Sequence, residues 1–350
     1  MYPVSRTPGA PACLAACVCL ALFPLLAHAD EPDSIKTLDT LVVTSAAPSS
    51  PLNWVTDPRL PRQPVPASDG ADYLKTVPGF SAIRNGGTNG DPVLRGMSGS
   101  RLNILTNDGN LLGACPSRMD NPLSYIAPET YDRLTVIKGP QSVRWGAGAS
   151  AGTVRFERDM PRFDAPGMEL QASALGGSNS RNDQMLDASF GSRPGYVRVN
   201  GNRSESGDYR DGNGEVVPSR WRKWNADVAV GWTPDADTVV ELNAGTGDAL
   251  ARYAGRGMDG AAFKRSSYGL RFERGNLPGA WDKLQASLYY NEADHVMDNY
   301  TLRTPNPNSM MPMPMASNVD RHTQGGRVSS EWRWQDVQLV AGMDGEDSRH

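Results

Sequence analysis

The sequence predicts a mainly β protein in which a small α/β domain precedes the strands of a transmembrane antiparallel β-barrel. Long stretches after residue 160 alternate between apolar and polar side chains, and short connections alternate with long ones between them. The only long apolar run lies at the N-terminus, which excludes a bundle of membrane helices. The net charge of −4 argues against nucleic acid as a partner, because that partner favours clustered positive charge.

The N-terminal segment 1–29 has the features of a secretory signal peptide. Arg6 supplies positive charge, 12–27 are apolar, and Ala27-His28-Ala29 forms a small-residue cleavage site. The alternative is a lipoprotein signal at Leu14–Cys17, although its apolar run follows the cysteine instead of preceding it. Cleavage after residue 29 would deliver the protein to an oxidising compartment.

Cleavage would also leave a single cysteine, because three of the four cysteines lie in the signal segment. Cys115 would then have no partner in its own chain. A structural disulfide needs an even number of cysteines, so Cys115 is a free thiol, an intermolecular bridge or a ligand.

Residues 30–67 are predicted to be a linker that is rich in Pro and Ser and carries one short β-prone run. The run covers Leu41, Val42, Val43 and Thr44, and it directly follows Asp39 and Thr40. Such a run in a flexible tail suits strand addition to the sheet edge of a partner. The alternative is an ordinary first strand of the following domain, and the residues alone leave both interpretations open.

Residues 68–160 are predicted to form the α/β domain. Ala71–Gly79 indicates a short helix ended by Pro-Gly, and Leu102–Thr106 indicates a strand that runs into an Asn-Asp-Gly turn. Arg133–Lys138 repeats the strand design, and Val154–Phe156 closes the region.

Residues 161–350 are predicted to be the first part of the barrel. Val228, Val230 and Trp232 lie on one face of a strand by period two, which is typical of membrane strands. The pattern predicts about nine strands, with long connections at 205–219, 248–262 and 292–321. A soluble sheet with one wet face is the alternative. Because a barrel closes only when its last strand pairs with its first, we expect further strands beyond those seen here.

Three motifs give the chain a family resemblance. Pro92–Gly96, Tyr131–Val143 and Trp145–Gly152 resemble the plug signatures of TonB-dependent outer-membrane receptors. The resemblance implies a plug inside a barrel of about 22 strands in the outer membrane of a Gram-negative bacterium. It also identifies 39–44 as a TonB box, with TonB and its inner-membrane energising complex as partners and outer-membrane lipid around the barrel.

Cys115-Pro116-Ser117-Arg118-Met119 points to a metal. Thiolate and thioether are soft ligands that select Cu(I) over hard cations. The stretch resembles the CxxxM element of the copper receptors in this family, which pair it with an HxM element, here His295-Val296-Met297. If the strand at 282–291 continues regularly, His295 and Met297 face the lumen. The resemblance thus implies a copper site of Cys115, Met119, His295 and Met297, with Cu(I) favoured and Cu(II) as the alternative.

The same residue types have ordinary structural roles. A lone cysteine is usually a small buried hydrophobe, and a methionine near proline usually packs against its neighbours. Four further methionines in one long connection are predicted to capture copper at the outer face, or else to fold inward over the plug: Met310, Met311, Met313 and Met315.

The predicted function is active import of copper into the periplasm, and no enzymatic constellation is visible. Cys115 has no His or Asn nearby in sequence for nucleophilic catalysis, and the glycine-rich stretch at 146–152 lacks the Lys-Ser/Thr of a phosphate loop. One alternative is a receptor for a siderophore or another metal chelate, with Arg220–Trp224 as part of its binding surface. Another is an adhesion barrel, in which 39–45 would be dispensable.

Overall fold

The computed structural model describes residues 52–140, 143–146 and 149–350. The signal segment and the residues 39–44 lie outside these ranges. The first region of the described chain contains one short α-helix, seven short strands and three 3-10 helices, Gly99–Arg101, Pro122–Tyr125 and Pro128–Thr130. The helix α1, Gly70–Leu74, begins where the Asp69 carboxylate accepts the Asp72 amide at 2.8 Å. The strands are β1 Asn53–Thr56, β2 Phe80–Ile83, β3 Asp91–Leu94, β4 Leu102–Thr106, β5 Gly109–Asn110, β6 Arg133–Lys138 and β7 Gly152–Glu157.

Five of these strands form one mixed sheet in the order β1-β6-β7-β4-β5, and β2 and β3 pair separately. Only β4 and β7 run parallel. Strand β1 adds to the edge of β6, with Asn53 opposite Ile137 and Thr56 opposite Leu134. The sequence pattern missed β1, because its pairing partner lies about 80 residues further along the chain.

Nine strands form the second region as one antiparallel sheet, in the order β8-β9-β10-β13-β14-β15-β16-β17-β18. A hairpin of β11 and β12 lies in the connection from β10 to β13. The strands are β8 Gly167–Gly177, β9 Arg181–Ser192, β10 Gly195–Ser206, β11 Tyr209–Arg210, β12 Val216–Val217, β13 Trp221–Trp232, β14 Thr238–Ala251, β15 Asp259–Gly275, β16 Trp281–Asp298, β17 Ala316–Trp334 and β18 Val337–Arg349.

The predicted alternation is present in this sheet. Val228, Val230, Leu242 and Leu288 are exposed on its outer face, whereas charged and amide side chains on the inner face are buried. The mainly β fold with a plug-like domain against barrel strands is therefore confirmed. No helix in the described ranges has the length and apolar character needed to cross a membrane.

The two ends of the sheet differ in their connections. At one end, called here the short-turn end, the strands are joined by 193–194, 233–237, 276–280 and 335–336. At the other, the loop end, the connections are 178–180, 207–220, 252–258 and 299–315. The long connections were predicted to be longer, because β14 to β17 continue past the last clear alternation.

A single apolar core joins the two regions. It contains α1 and the β6–β7 pair, and it reaches Trp221, Tyr253, Phe263 and Met297 on the barrel strands and loops. The first region therefore lies against the inner face of the nine-stranded sheet. This contact between plug and wall is where the candidate site is found.

Candidate metal centre between the plug and the barrel

The predicted Cys115–Met119 element is a tight turn on the plug. The Arg118 amide donates to the Cys115 carbonyl at 2.9 Å, and Arg118 adopts a left-handed φ of 57°. Pro116 suits the second position of such a turn. The Arg118 guanidinium forms two hydrogen bonds of 2.7 Å with the Asp91 carboxylate, which fixes the turn to the start of β3.

The Asp120 carboxylate closes the segment from Gly113 to Asp120, called here the thiol loop. Asp120 is fully buried and accepts the Cys115 amide at 2.8 Å and the Ala114 amide at 2.6 Å. The Tyr125 hydroxyl donates to the same carboxylate at 2.6 Å. Burial and then the Asp120 charge raise the pKa of Tyr125 well above its usual range, which keeps this donor protonated. A side chain at Gly113 would collide with the Asp120 carbonyl, so the loop depends on that glycine.

His295 and Met297 approach the thiol loop from the barrel wall. Both lie on β16 near the loop end and are buried, His295 completely. The imidazole lies 4.3 Å from the Phe263 ring, centroid to centroid. Gly260 permits this packing, because a Cβ there would overlap the Phe263 ring.

The tautomer of His295 follows from its one partner. Nδ1 lies 2.8 Å from the Ala262 carbonyl oxygen, which can only accept, so Nδ1 carries the proton and donates. Nε2 is then a lone-pair donor, and it is buried with no hydrogen-bond partner in the described structure. Buried polar atoms without a hydrogen-bond partner are rare in folded proteins, and a bound ion is one explanation for them. Metal-bound histidines are commonly oriented in this way, through the nitrogen that does not bind the metal.

The two elements meet. The Cys115 Sγ lies 3.4 Å from the Met297 Sδ, and donor atoms of Cys115, Asp120 and His295 all lie within 4.8 Å of one another. Met119 is buried in the same apolar core. The arrangement therefore offers a thiol, thioethers and an imidazole from two regions of the chain, a donor set that suits a soft cation.

Comparisons with known proteins agree with this architecture. Residues 46–153 match the TonB-dependent Receptor Plug Domain family. The solved structure of the copper transporter OprC is 66% identical, with a TM-score of 0.85, and covers 86% of this chain and 46% of its own. The chain belongs to the TonB-dependent receptors. Within that family it is of the OprC type.

Other members of the family are more distant. The ferrienterobactin receptor of Escherichia coli K12 is 30% identical over 154 residues, which are 37% of this chain and 20% of that receptor. The FrpB iron transporter of Neisseria meningitidis has a TM-score of 0.66 at 17% identity, over 81% of this chain and 46% of its own, which shows the fold alone. The chain thus spans less than half the length of these relatives.

Ion pairs hold the plug of this TonB-dependent receptor to the wall nearer the short-turn end. The plug residue Arg158 pairs with Asp227 at 3.1 Å, and Arg265 of the wall pairs with the same carboxylate at 2.7 Å. Arg198 of β10 pairs with Asp132 of the plug at 2.7 Å. The side chains in these pairs are largely buried, so water screens them little.

The methionine-rich segment 310–315 lies in the connection from β16 to β17. Met310, Met313 and Met315 are exposed, whereas the Met311 methyl group lies against Gly257 of a neighbouring loop. The buried Asn299 side chain organises the segment. It donates to the carbonyls of Met311 and Met313 at 3.0 and 2.9 Å and accepts the Met315 amide at 2.8 Å.

The surface proposed for a chelate receptor does not form around Arg220–Trp224. Trp221 is buried and its indole donates to Ser204 at 2.9 Å, whereas Arg222 and Trp224 lie on the opposite face of the strand and are exposed. Alternation along β13 separates the two tryptophans, because successive side chains point to opposite faces.

Sequence reasoning missed two residues of this region, Asp120 and Asn299. Each acts mainly on backbone groups, which leave no compositional trace. Asp120 directly follows the CxxxM element, which is the one signal that could have drawn attention to it.

Proposed function

We propose that this receptor binds copper between plug and barrel and imports it into the periplasm. The observation that carries the proposal is the contact of 3.4 Å between the Cys115 and Met297 sulfur atoms, beside the unpartnered His295 Nε2. Two soft donors that meet across the interface, next to an imidazole with a free lone pair, favour Cu(I) over hard cations. The similarity to a protein described as a copper transporter supports the same cargo.

The proposed ligands are Cys115 and Met119 from the plug with His295 and Met297 from the barrel. Cu(II) is the alternative state on arrival, since imidazole also suits that ion. Because the ligands come from two regions, movement of the plug would separate the thiolate from the imidazole and release the ion. The predicted box at 39–44 would connect the plug to TonB, which supplies the force.

Copper uptake by living cells tests this function. Cells that depend on the receptor for copper should accumulate it when they carry the parent protein. Deletion of 39–45 should abolish accumulation while leaving copper bound to the purified protein, because only the coupling is removed. Uptake that is unchanged by the deletion would contradict TonB-driven import and favour a barrel that does not transport.

Exposed methionines at the loop end would act earlier, as a capture segment. Thioethers on a surface are costly unless they serve a purpose, and they bind Cu(I). Replacing Met313 and Met315 together by leucine should lower uptake from dilute copper but leave the stoichiometry at saturation intact. A loss of stoichiometry would mean that the primary site includes this segment.

A receptor for a metal chelate is the second candidate, because the curated relatives include receptors for ferrienterobactin and hemin. It predicts binding of an iron chelate that survives replacement of Cys115 by alanine. The copper importer predicts no such binding.

A further inference from the structure

Asp120 has an unusual environment for a carboxylate. It is fully buried, it accepts three hydrogen bonds, and in the described part of the chain it forms no ion pair with Lys or Arg. Its nearest arginine in sequence, Arg118, is committed to Asp91. Taking a carboxylate out of water is expensive unless a cation compensates it.

The three donors determine what this carboxylate does to the loop. One oxygen accepts the Cys115 amide, and the other accepts the Ala114 amide and the Tyr125 hydroxyl. The carboxylate therefore holds two consecutive backbone amides, of which the second is bonded directly to the Cys115 α-carbon. Because the thiol is attached to that carbon, its direction toward Met297 depends on Asp120.

The charge lies where a cation would sit. A carboxylate oxygen of Asp120 lies within 4.8 Å of both the Cys115 sulfur and a ring nitrogen of His295. A cation bound between those donors would be close to a negative charge in a site from which water is excluded, where charges interact strongly.

We propose that Asp120 is a positioning residue of the copper site, which holds the thiol loop closed and supplies a fixed negative charge for the bound cation without being a ligand. This inference rests on the proposed copper site. Two observations argue against direct ligation. Both oxygens are already engaged by donors of their own loop and of Tyr125. A hard carboxylate is also a poor ligand for Cu(I) beside soft donors.

The test is the affinity of purified Asp120→Asn protein for Ag(I), a redox-inert soft cation, measured by competition with a chelator. We expect binding to weaken by about 10- to 100-fold, the range typical of residues that support metal ligands, with stoichiometry preserved at saturation. Asp227→Asn is the matched control, because it also removes a buried carboxylate between plug and wall, but one that pairs with Arg158 and Arg265. Its affinity for Ag(I) should equal that of the parent.

A second cation, Cd(II), distinguishes the electrostatic effect of Asp120 from its effect on the position of the thiol. The interaction energy of two charges is proportional to their product, whereas the loss from a misplaced thiol is the same for both ions. Asp120→Asn should therefore lower the logarithm of the Cd(II) affinity more than that of Ag(I), by up to a factor of about two. Equal losses for the two ions would overturn the charge part of the proposal. X-ray absorption spectra of the silver or copper complexes would show whether Asp120 is a ligand. An oxygen ligand that is present in the parent and absent from Asp120→Asn would overturn the positioning role.

Tyr125→Phe provides an independent variant if Asp120→Asn is not recovered folded. It removes one of the three donors and keeps the charge, so we expect a few-fold weaker binding and faster reaction of Cys115 with a thiol reagent. Parental values for both would overturn the proposal. If the parent itself binds no Ag(I) or copper, the proposed function fails; if the parent binds and Asp120→Asn binds equally well, only the role of Asp120 fails.

Discussion

The plug touches the barrel wall in two chemically different zones. Nearer the short-turn end, the contact is made by opposite charges, with Asp132 and Arg158 of the plug paired to Arg198 and Asp227 of the wall. Nearer the loop end, it includes sulfur and imidazole groups, with Cys115 close to Met297 and His295. In the first zone each of these charges is compensated by an opposite charge. In the second, His295 Nε2 is buried with a free lone pair and has no partner in the described structure.

The difference assigns separate tasks to the two zones. Buried ion pairs with good geometry hold two surfaces in one register, and breaking one partner is strongly destabilising. Soft donors attract each other weakly, and they become a strong link only when a cation joins them. We infer that the ion-pair zone nearer the short-turn end holds the plug in place, and that the sulfur and imidazole zone would join plug and wall when the proposed cation binds.

The largest expected effect comes from joining the plug to the wall covalently. The Cβ position at Gly109 of β5 lies 3.1 Å from the Tyr289 Cβ of β16, so a small separation of the two strands would give the roughly 3.5–4.5 Å of a disulfide. In the double variant Gly109→Cys, Tyr289→Cys, we expect copper uptake to fall to background under oxidising conditions. Copper bound to the purified protein should be unchanged.

Reduction of this disulfide is the control. A reductant that does not itself load copper should restore uptake, whereas the single variants should transport normally throughout. Transport by the oxidised double variant would show that the plug need not move relative to β16. This result would contradict release of the ion by separation of the plug ligands from the barrel ligands.

Neutralising a charge in the ion-pair zone nearer the short-turn end should lower stability without changing metal binding. Asp227→Asn leaves Arg158 and Arg265 without their shared carboxylate, so we expect the plug–wall contact to lose about 3 kcal/mol. Thermal unfolding of the detergent-solubilised protein should show the loss, and copper affinity should stay at the parental value. A parallel fall in copper affinity would mean that the two zones act as one.

The smallest effect is expected at the capture segment. Asn299→Ala removes three hydrogen bonds that shape 310–315, so the methionines should lose their arrangement. We expect a few-fold lower rate of uptake from dilute copper and normal stoichiometry at saturation. Thr301→Ala in the same loop removes a hydroxyl that bonds Asp298 instead, and serves as the control. Equal rates for the parent and Asn299→Ala would show that the arrangement of the methionines does not contribute to uptake.

Much of this architecture could be predicted because it depends on local pattern. Period-two alternation identified the barrel strands, and the resemblance of Cys115–Met119 and of His295–Met297 to paired elements of one family identified two segments that the fold brings together. His295 and Met297 share the inner face because they are two residues apart on one strand. The strand ends were harder, since both faces of β14 to β17 are polar beyond the apolar band.

The features that were missed depend on contacts between distant segments or on backbone groups. Strand β1 forms because it pairs with the edge of β6, and the residues Asn53 to Thr56 alone carry no pattern that predicts this pairing. Asp120 and Asn299 satisfy amides and carbonyls, which every residue has. Such roles arise only in the folded chain, which brings particular backbone groups within hydrogen-bond distance of each side chain.

Metal content of the purified protein tests the central claim most directly. The parent would be compared, as isolated and after loading with copper under reducing and oxidising conditions, with the double variant Cys115→Ala, Met119→Ala. Met185→Ala, which removes another buried methionine on β9, is the control for loss of a thioether. We predict one copper per chain in the parent and in the control, and none in the double variant. No copper in the parent under either condition, or equal copper in parent and double variant, would contradict a copper site between plug and barrel.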